Sequence, residues 1–155
     1  MKLKIVWPGK TRNKSIKDLQ RRYLEKINRL ESCSLIETKD ARGFTDKDGQ
    51  KIRKIEADAL EKHIKDDYII CLFDRGQEMN SEEFARFLKE TGSSAAHCIT
   101  FVVGGFMGLA ERIVKKADLL LSLSKMTFSH ELTRIILLEQ IYRSLTIMKG
   151  RHYAK

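Results

Sequence analysis

The chain has 155 residues, of which 42 % are hydrophobic, which suits one domain with a sizeable core and excludes a disordered chain. No apolar run reaches bilayer-spanning length, no solenoid repeat occurs, and the opening MKLKIVWPGK is too short in apolar residues for a signal peptide, so a soluble cytoplasmic protein is expected. The net charge of +9 is uneven: the first thirty residues carry ten Lys or Arg against two acids, and residues 149–155 add three more cations without an acid.

That asymmetry suits a polyanion such as RNA, or else a solvated basic helix without a partner. Cys33, Cys71 and Cys98 are scattered, with no CxxC; Cys71 and Cys98 lie in apolar runs and read as buried free thiols of a reducing compartment. The histidines His63, His97, His130 and His152 lack metal-ligand spacing, and no metal site is expected.

In chain order, Leu3 to Trp7 reads as a strand followed by a Pro8–Gly9 turn. The spacing of Ile16, Leu19, Tyr23, Ile27 and Leu30 predicts a helix from Lys14 to Leu30. Ser34 to Thr38 is a second strand, and the polar Lys39 to Gly49 a loop. A helix is expected over Gln50 to Ile64, and a buried strand over Tyr68 to Phe73. Asn80 with Glu83 resembles a capping box that starts the next helix. Cys98 to Val103 is a buried strand, Leu109 to Lys116 a short helix, and Leu119 to Leu123 a fifth strand. The last helix, His130 to Lys149, ends at Gly150. Its apolar residues wrap more than one face, which predicts burial against its own sheet on one side and a second copy on the other. Strands alternating with helices, several of them apolar on both faces, predict an α/β fold with a parallel sheet.

The stretch FVVGGFMGL (101–109) ends a buried strand in three glycines. It has neither the G-x-G-x-x-G spacing of a dinucleotide site nor the G-K-[ST] of a P-loop. Its place at the carboxyl end of a strand is nevertheless where open α/β sheets bind ligands. Two more loops leave the same edge: LFDRG (72–76) and SLSKMTF (122–128). The glycines suit either a tight turn or a ligand pressed against bare backbone.

Three segments together resemble the ribosomal RNA large subunit methyltransferase H family of small SPOUT methyltransferases. FVVGGFMGL is similar to its strand and G-G-x-x-G-L. SLSKMTFSH is similar to its S-[LF]-S-x-[ML]-T-[FL]-x-H. TRIILLEQIYRS is similar to its R-[VI]-x-[LI]-x-E-x-[LIV]-Y-R-[AS] helix. The likeness extends to the length, the MKL start and the Leu72-x-x-x-Gly76 loop, and so covers the whole chain. It implies a single domain over 1–155 with an α/β knot at about 100–155, a homodimer, and S-adenosylmethionine (SAM) as cofactor. The implied reaction is N3 methylation of a pseudouridine in the 23S rRNA of the assembled ribosome.

The cofactor positions that match are Leu72, Gly104, Gly105, Leu123, Ser124, Lys125, Met126, Thr127 and Phe128. Candidate catalytic residues are His130, Arg134 and Tyr153. His130 reads as a substrate- or loop-positioning residue, or as a helix-start histidine bonded to backbone. Arg134 reads as a substrate contact, or as a salt-bridge partner of Glu139. Tyr142 and Arg143, deep in the apolar helix, read as packing or dimer residues. Candidate RNA contacts are Arg21 and Arg22 beside Lys14 and Lys17, and Arg151, His152 and Lys155 in the tail. The tail departs from the family: Ala154 stands where a histidine follows the tyrosine, and Ser129 stands where a proline precedes His130. A different RNA target, a non-catalytic RNA-binding knot protein, and a flavodoxin-like or Rossmann oxidoreductase are the other readings.

Overall fold

The computed structural model describes residues 1–64, 67–94 and 98–151. Among the described residues, five parallel strands form one sheet in the order β2-β1-β4-β3-β5: β1 Lys2–Pro8, β2 Ser32–Thr38, β3 Tyr68–Glu78, β4 Ile99–Val102 and β5 Leu119–Ser122. The helices are α1 Lys14–Asn28, α2 Gly49–Leu60, α3 Ser81–Ser93, α4 Glu111–Val114 and α5 His130–Met148. Short 3-10 turns flank α2 at Asp46–Asp48 and Glu61–His63.

Strand alternation sorts the core into two layers. Ile5, Trp7, Ile70, Phe101 and Leu121 pack with Ile27 of α1, Phe84 and Leu88 of α3, and Leu137, Leu138 and Ile141 of α5. Val6, Cys71 and Val102 face the other way and pack with Ala57 and Leu60 of α2 and Ile113 of α4. The sheet is therefore covered on both faces, as its apolar strands require. Cys71 lies in this interior as expected, and burial pushes its thiol up to about 12; Cys98 is only half-buried.

The wrap of apolar residues on α5 has a partly intramolecular cause. α5 lies between α1 and α3 as well as on the sheet, so three neighbours in its own chain cover it. Leu132 and Ile147 stay exposed. Asn80 caps α3 as the sequence predicted, with Glu83 returning to the Asn80 amide at 2.8 Å.

One boundary differs in a way that shapes the site. β3 does not end at Phe73 but runs on to Glu78. Leu72 and Gln77 both pair with Leu121, so Phe73 to Gly76 are extruded as a bulge within the strand. The apolar pattern stops at Phe73 because Asp74 and Arg75 face solvent, and backbone pairing resumes beyond them.

Candidate functional site

The site is built on the carboxyl edge of β4, β3 and β5. β4 is extended by a Val103 amide bond to Val6 at 3.0 Å, and the chain then turns sharply. The Gly108 amide donates to the Gly105 carbonyl at 3.0 Å, closing a turn over residues 105–108. A side chain at 104 has no room: its Cβ would lie 2.8 Å from the Gly108 carbonyl carbon and 3.0 Å from the Leu109 nitrogen, both backbone atoms. Gly104 is therefore required by the close approach of two chain segments.

The β3 bulge supplies the second wall. Leu72 and Phe73 turn half-buried toward the glycine turn, and Asp74 is exposed at the rim. The bulge is tied to β5 by the Ser122 hydroxyl, 3.2 Å from the Asp74 carbonyl. The third wall is the loop between β5 and α5. The Met126 amide donates to Ser124 Oγ at 3.0 Å, which folds the loop locally. Ser129 then caps α5 by accepting from the Leu132 amide at 3.3 Å. Ser129 thus starts α5 with a side-chain cap.

These three walls enclose a cleft of about 630 Å3. Leu72, Gly104, Gly105, Leu123, Ser124, Met126, Thr127 and Phe128 all line it, as does His130. Lys125 does not: it is exposed, with its ammonium 4.0 Å from Glu78. Burial, and then the Arg134 charge, lower the pKa of His130 below the ordinary imidazole value; Glu131 opposes them and Arg12 adds to them. The imidazole is therefore biased toward its neutral form, which accepts a proton.

Arg134 is not brought to the cleft. It is 1 % exposed and does not line the cleft, so it is not placed to contact a substrate. Its Nη2 donates to the Pro8 carbonyl at 2.6 Å and its Nη1 to Thr11 Oγ1 at 3.0 Å, holding the β1–α1 turn against α5. Glu139 pairs instead with Arg143, at 2.6 Å, so the alternative salt bridge is not formed either. Tyr142 packs on the Tyr23 ring of α1 at 6.3 Å between centroids. The spacing that puts Arg134 one turn after His130 on the same face does not reveal that this face dips under β1.

Arg21, Arg22, Lys14 and Lys17 are exposed on α1, and Arg151 is exposed beyond α5. The starts of α1 and α5 meet where the Arg12 amide donates to the Glu131 carboxylate at 2.5 Å. This brings the basic start of α1 to the His130 end of the cleft. Tyr153, His152 and Lys155 lie outside the described residues. The sequence reading missed Asp74, Thr133, Phe106 and Met107, which line the cleft, and Glu56, which lies behind it. A second cleft, of about 520 Å3, opens near Lys10, Asp40 and Phe44; among the described residues, none of those expected at the site lines it.

The family described as "Predicted SPOUT methyltransferase" matches residues 1–154. The chain is 34 % identical to "Ribosomal RNA large subunit methyltransferase H" of Lactobacillus acidophilus, the alignment covering all of both chains. It is 38 % identical, again over all of both, to the "Putative ribosomal RNA large subunit methyltransferase H" of Methanococcus maripaludis. Among solved structures, a probable methylase family protein from Haemophilus influenzae Rd KW20 superposes with a TM-score of 0.59 at 11 % identity, covering 99 % of this chain and 70 % of that one. A probable methyltransferase from Bordetella pertussis Tohama I gives 0.52 at 13 % identity, covering 93 % and 96 %. The structural likenesses carry the fold, the sequence identities carry the family, and the chain belongs to the ribosomal RNA large subunit methyltransferase H family of SPOUT methyltransferases.

Proposed function

We propose that this protein is a SAM-dependent methyltransferase that methylates N3 of a pseudouridine in 23S rRNA of the assembled ribosome, working as a homodimer in the cytoplasm with its C-terminal segment knotted through the cofactor loops. The observation that carries the reading is the convergence of the glycine turn, the Leu72 bulge and the Leu123–Phe128 loop on one cleft. Its volume lies within the roughly 300–1,000 Å3 typical of cofactor and ligand sites.

The residues fit the cofactor. Leu72, Leu109, Leu121 and Leu123 offer apolar walls to an adenine ring, and the bare turn at Gly104–Gly105 offers backbone groups. Asp74 places a negative charge at the cleft for a cationic ligand. SAM supplies an electrophilic methyl group. The protein's work is to align the attacking nitrogen and to take up its proton. His130 is the proton acceptor in this reading, since it lines the cleft and is biased toward the neutral form. Tyr153, with His152, Lys155 and Arg151, is assigned to the RNA from the tail, and Arg21 and Arg22 from α1. Leu132 and Ile147, exposed on α5, are assigned to the dimer contact.

The test is transfer of radiolabelled methyl from SAM to ribosomes lacking the modification, followed by mapping of the labelled nucleotide. Label on one 23S pseudouridine is expected. Label on tRNA alone would assign a different RNA target. SAM binding with no transfer to any RNA would support a non-catalytic RNA-binding protein, the reading that Ala154 favours.

A further inference from the structure

The glycine turn is held from behind by one face of α2. Gly49, Arg53 and Glu56 are spaced by four and three residues and so share that face. Gly49 leaves room for the Met107 methyl group, which occupies the place of a side chain at 49. Arg53 Nη1 donates to the Met107 carbonyl at 3.3 Å. Glu56 lies behind Gly105: a Cβ on Gly105 would sit 2.7 Å from Glu56 Oε2 and 2.9 Å from Oε1.

Glu56 is an unusual residue for such a place. It is 4 % exposed, and its Oε2 has no hydrogen-bond partner among the described residues. The Ala41 amide donates to the carboxylate, while Asp40 and Arg134 act on it only through space. A buried carboxylate oxygen without a partner costs stability. Such a cost is tolerated where a site requires it. Burial also pushes its pKa up, to about 7.

We propose that Glu56 is a positioning residue for the cofactor: with Gly49 and Arg53 it fixes the Gly104–Gly108 turn, and residue 105 is glycine because the Glu56 carboxylate occupies the place of its side chain. This rests on the reading that the turn holds SAM. The carboxylate and a side chain at 105 compete for one volume, so removing the first makes room for the second.

The experiment compares the full-length wild type with Glu56→Ala, Gly105→Ala and the double variant, without cofactor and with SAM. Amide hydrogen exchange over residues 103–109 reads the turn directly in the cofactor-free protein. Each single variant is expected to speed that exchange by about tenfold, while exchange in α3 stays native. The double variant is expected to recover most of the protection, because the methyl group added at position 105 fills the vacated space. Calorimetric SAM affinity is expected to follow, falling about tenfold in each single variant and returning in the double. Protection in Glu56→Ala equal to wild type, or a double variant no better than its singles combined, overturns the proposal. Should Glu56→Ala fail to fold, Glu56→Gln keeps the shape and the Ala41 bond and must retain protection; its loss would overturn the proposal as well. A wild type that binds no SAM would remove the cofactor reading, while the exchange data would still decide what holds the turn.

Discussion

The guanidinium carbon of Arg134 lies 4.7 Å from the centre of the Trp7 ring, and both side chains are fully buried. The arginine reaches from α5 to the end of β1, where it also satisfies the Pro8 carbonyl and the Thr11 hydroxyl. Thr11 in turn donates to Gln20 Oε1 of α1 at 2.6 Å. One side chain thus ties β1, α1 and α5 together immediately behind the cleft. Burial lowers the guanidinium pKa to about 10, with Glu131 foremost among the acids that oppose the shift, so the group stays charged at neutral pH.

Arg134→Ala should therefore act on stability before chemistry. It removes two charge-assisted hydrogen bonds and a cation–π contact, and a loss of roughly 2–4 kcal/mol is expected in urea unfolding. Arg134→Lys should recover only part of this, since an ammonium cannot fork to both oxygens. A loss in Arg134→Ala below about 0.5 kcal/mol would return the residue to a purely functional role.

Gly104→Val should abolish SAM binding while the chain remains folded. The added atoms meet the backbone of Gly108 and Leu109, so the turn itself must open. Affinity should fall by more than about a hundredfold in calorimetry, since a turn displaced by an ångström misplaces every backbone contact. Size-exclusion chromatography should show the wild-type species, because the clash is confined to the turn backbone at Gly108 and Leu109. Native SAM affinity would remove the cofactor role of the turn.

Much of this was legible in the sequence because local chemistry and burial agree. Asn80 and Glu83 announce a helix start wherever the rest of the chain lies. Ile99 to Val102 is apolar on both faces because helices cover both. The position of three loops at one edge followed from strand direction. What stayed hidden depended on distant contacts. Glu56 reads as one more polar position of an amphipathic helix, and contacts far along the chain, with Gly105 among them, bury it. The β3 bulge was hidden because pairing beyond Gly76 rests on backbone bonds to β5, which carry no side-chain signature.

Glu56 should set the pH dependence of stability. The ordinary carboxyl value of 4.5 is raised to about 7 chiefly by burial; the Ala41 amide opposes this, Asp40 reinforces it, and Arg134 opposes it. The folded state thus holds the proton more tightly than the unfolded chain. The stability from this group is fully present below pH 4.5 and is lost as pH rises to about 7. The loss amounts to about 3 kcal/mol. Glu56→Gln cannot ionise, so its stability advantage over wild type should grow by that amount between acid and alkaline conditions. Urea unfolding of both proteins at several pH values measures it, and parallel curves would show that the group titrates normally.

His130 should carry the acid limb of the methyl-transfer rate. A proton acceptor fails once it is protonated, so kcat falls as pH drops through its pKa. Burial and the neighbouring Arg134 lower that pKa, so activity should persist to more acid pH than a free imidazole would permit. His130→Gln should cut kcat by roughly a hundredfold or more with little change in SAM affinity, and should abolish the limb. An unaltered limb in that variant would assign the proton to another residue, with Tyr153 the next candidate.

Arg21 and Arg22 should contribute affinity for RNA without contributing sequence choice. Both are exposed on α1, and the ion pair of Arg21 with Glu25, 3.4 Å at the surface, is too solvated to hold it against a phosphate. If each neutralises one phosphate, replacing both by alanine should reduce the slope of log K against log salt by about 1.5. SAM affinity should stay at the wild-type value, because α1 contributes no residue to the cleft. Binding of the double variant to ribosomes, followed across salt concentrations, gives the slope. An unchanged slope would leave the first thirty residues as a solvated face and move the RNA contact to the C-terminal end. There Arg151 follows α5 and is also exposed. A slope reduced with transfer still confined to the same nucleotide would separate the two tasks: α1 holds the RNA by its charge, and the cleft selects the base.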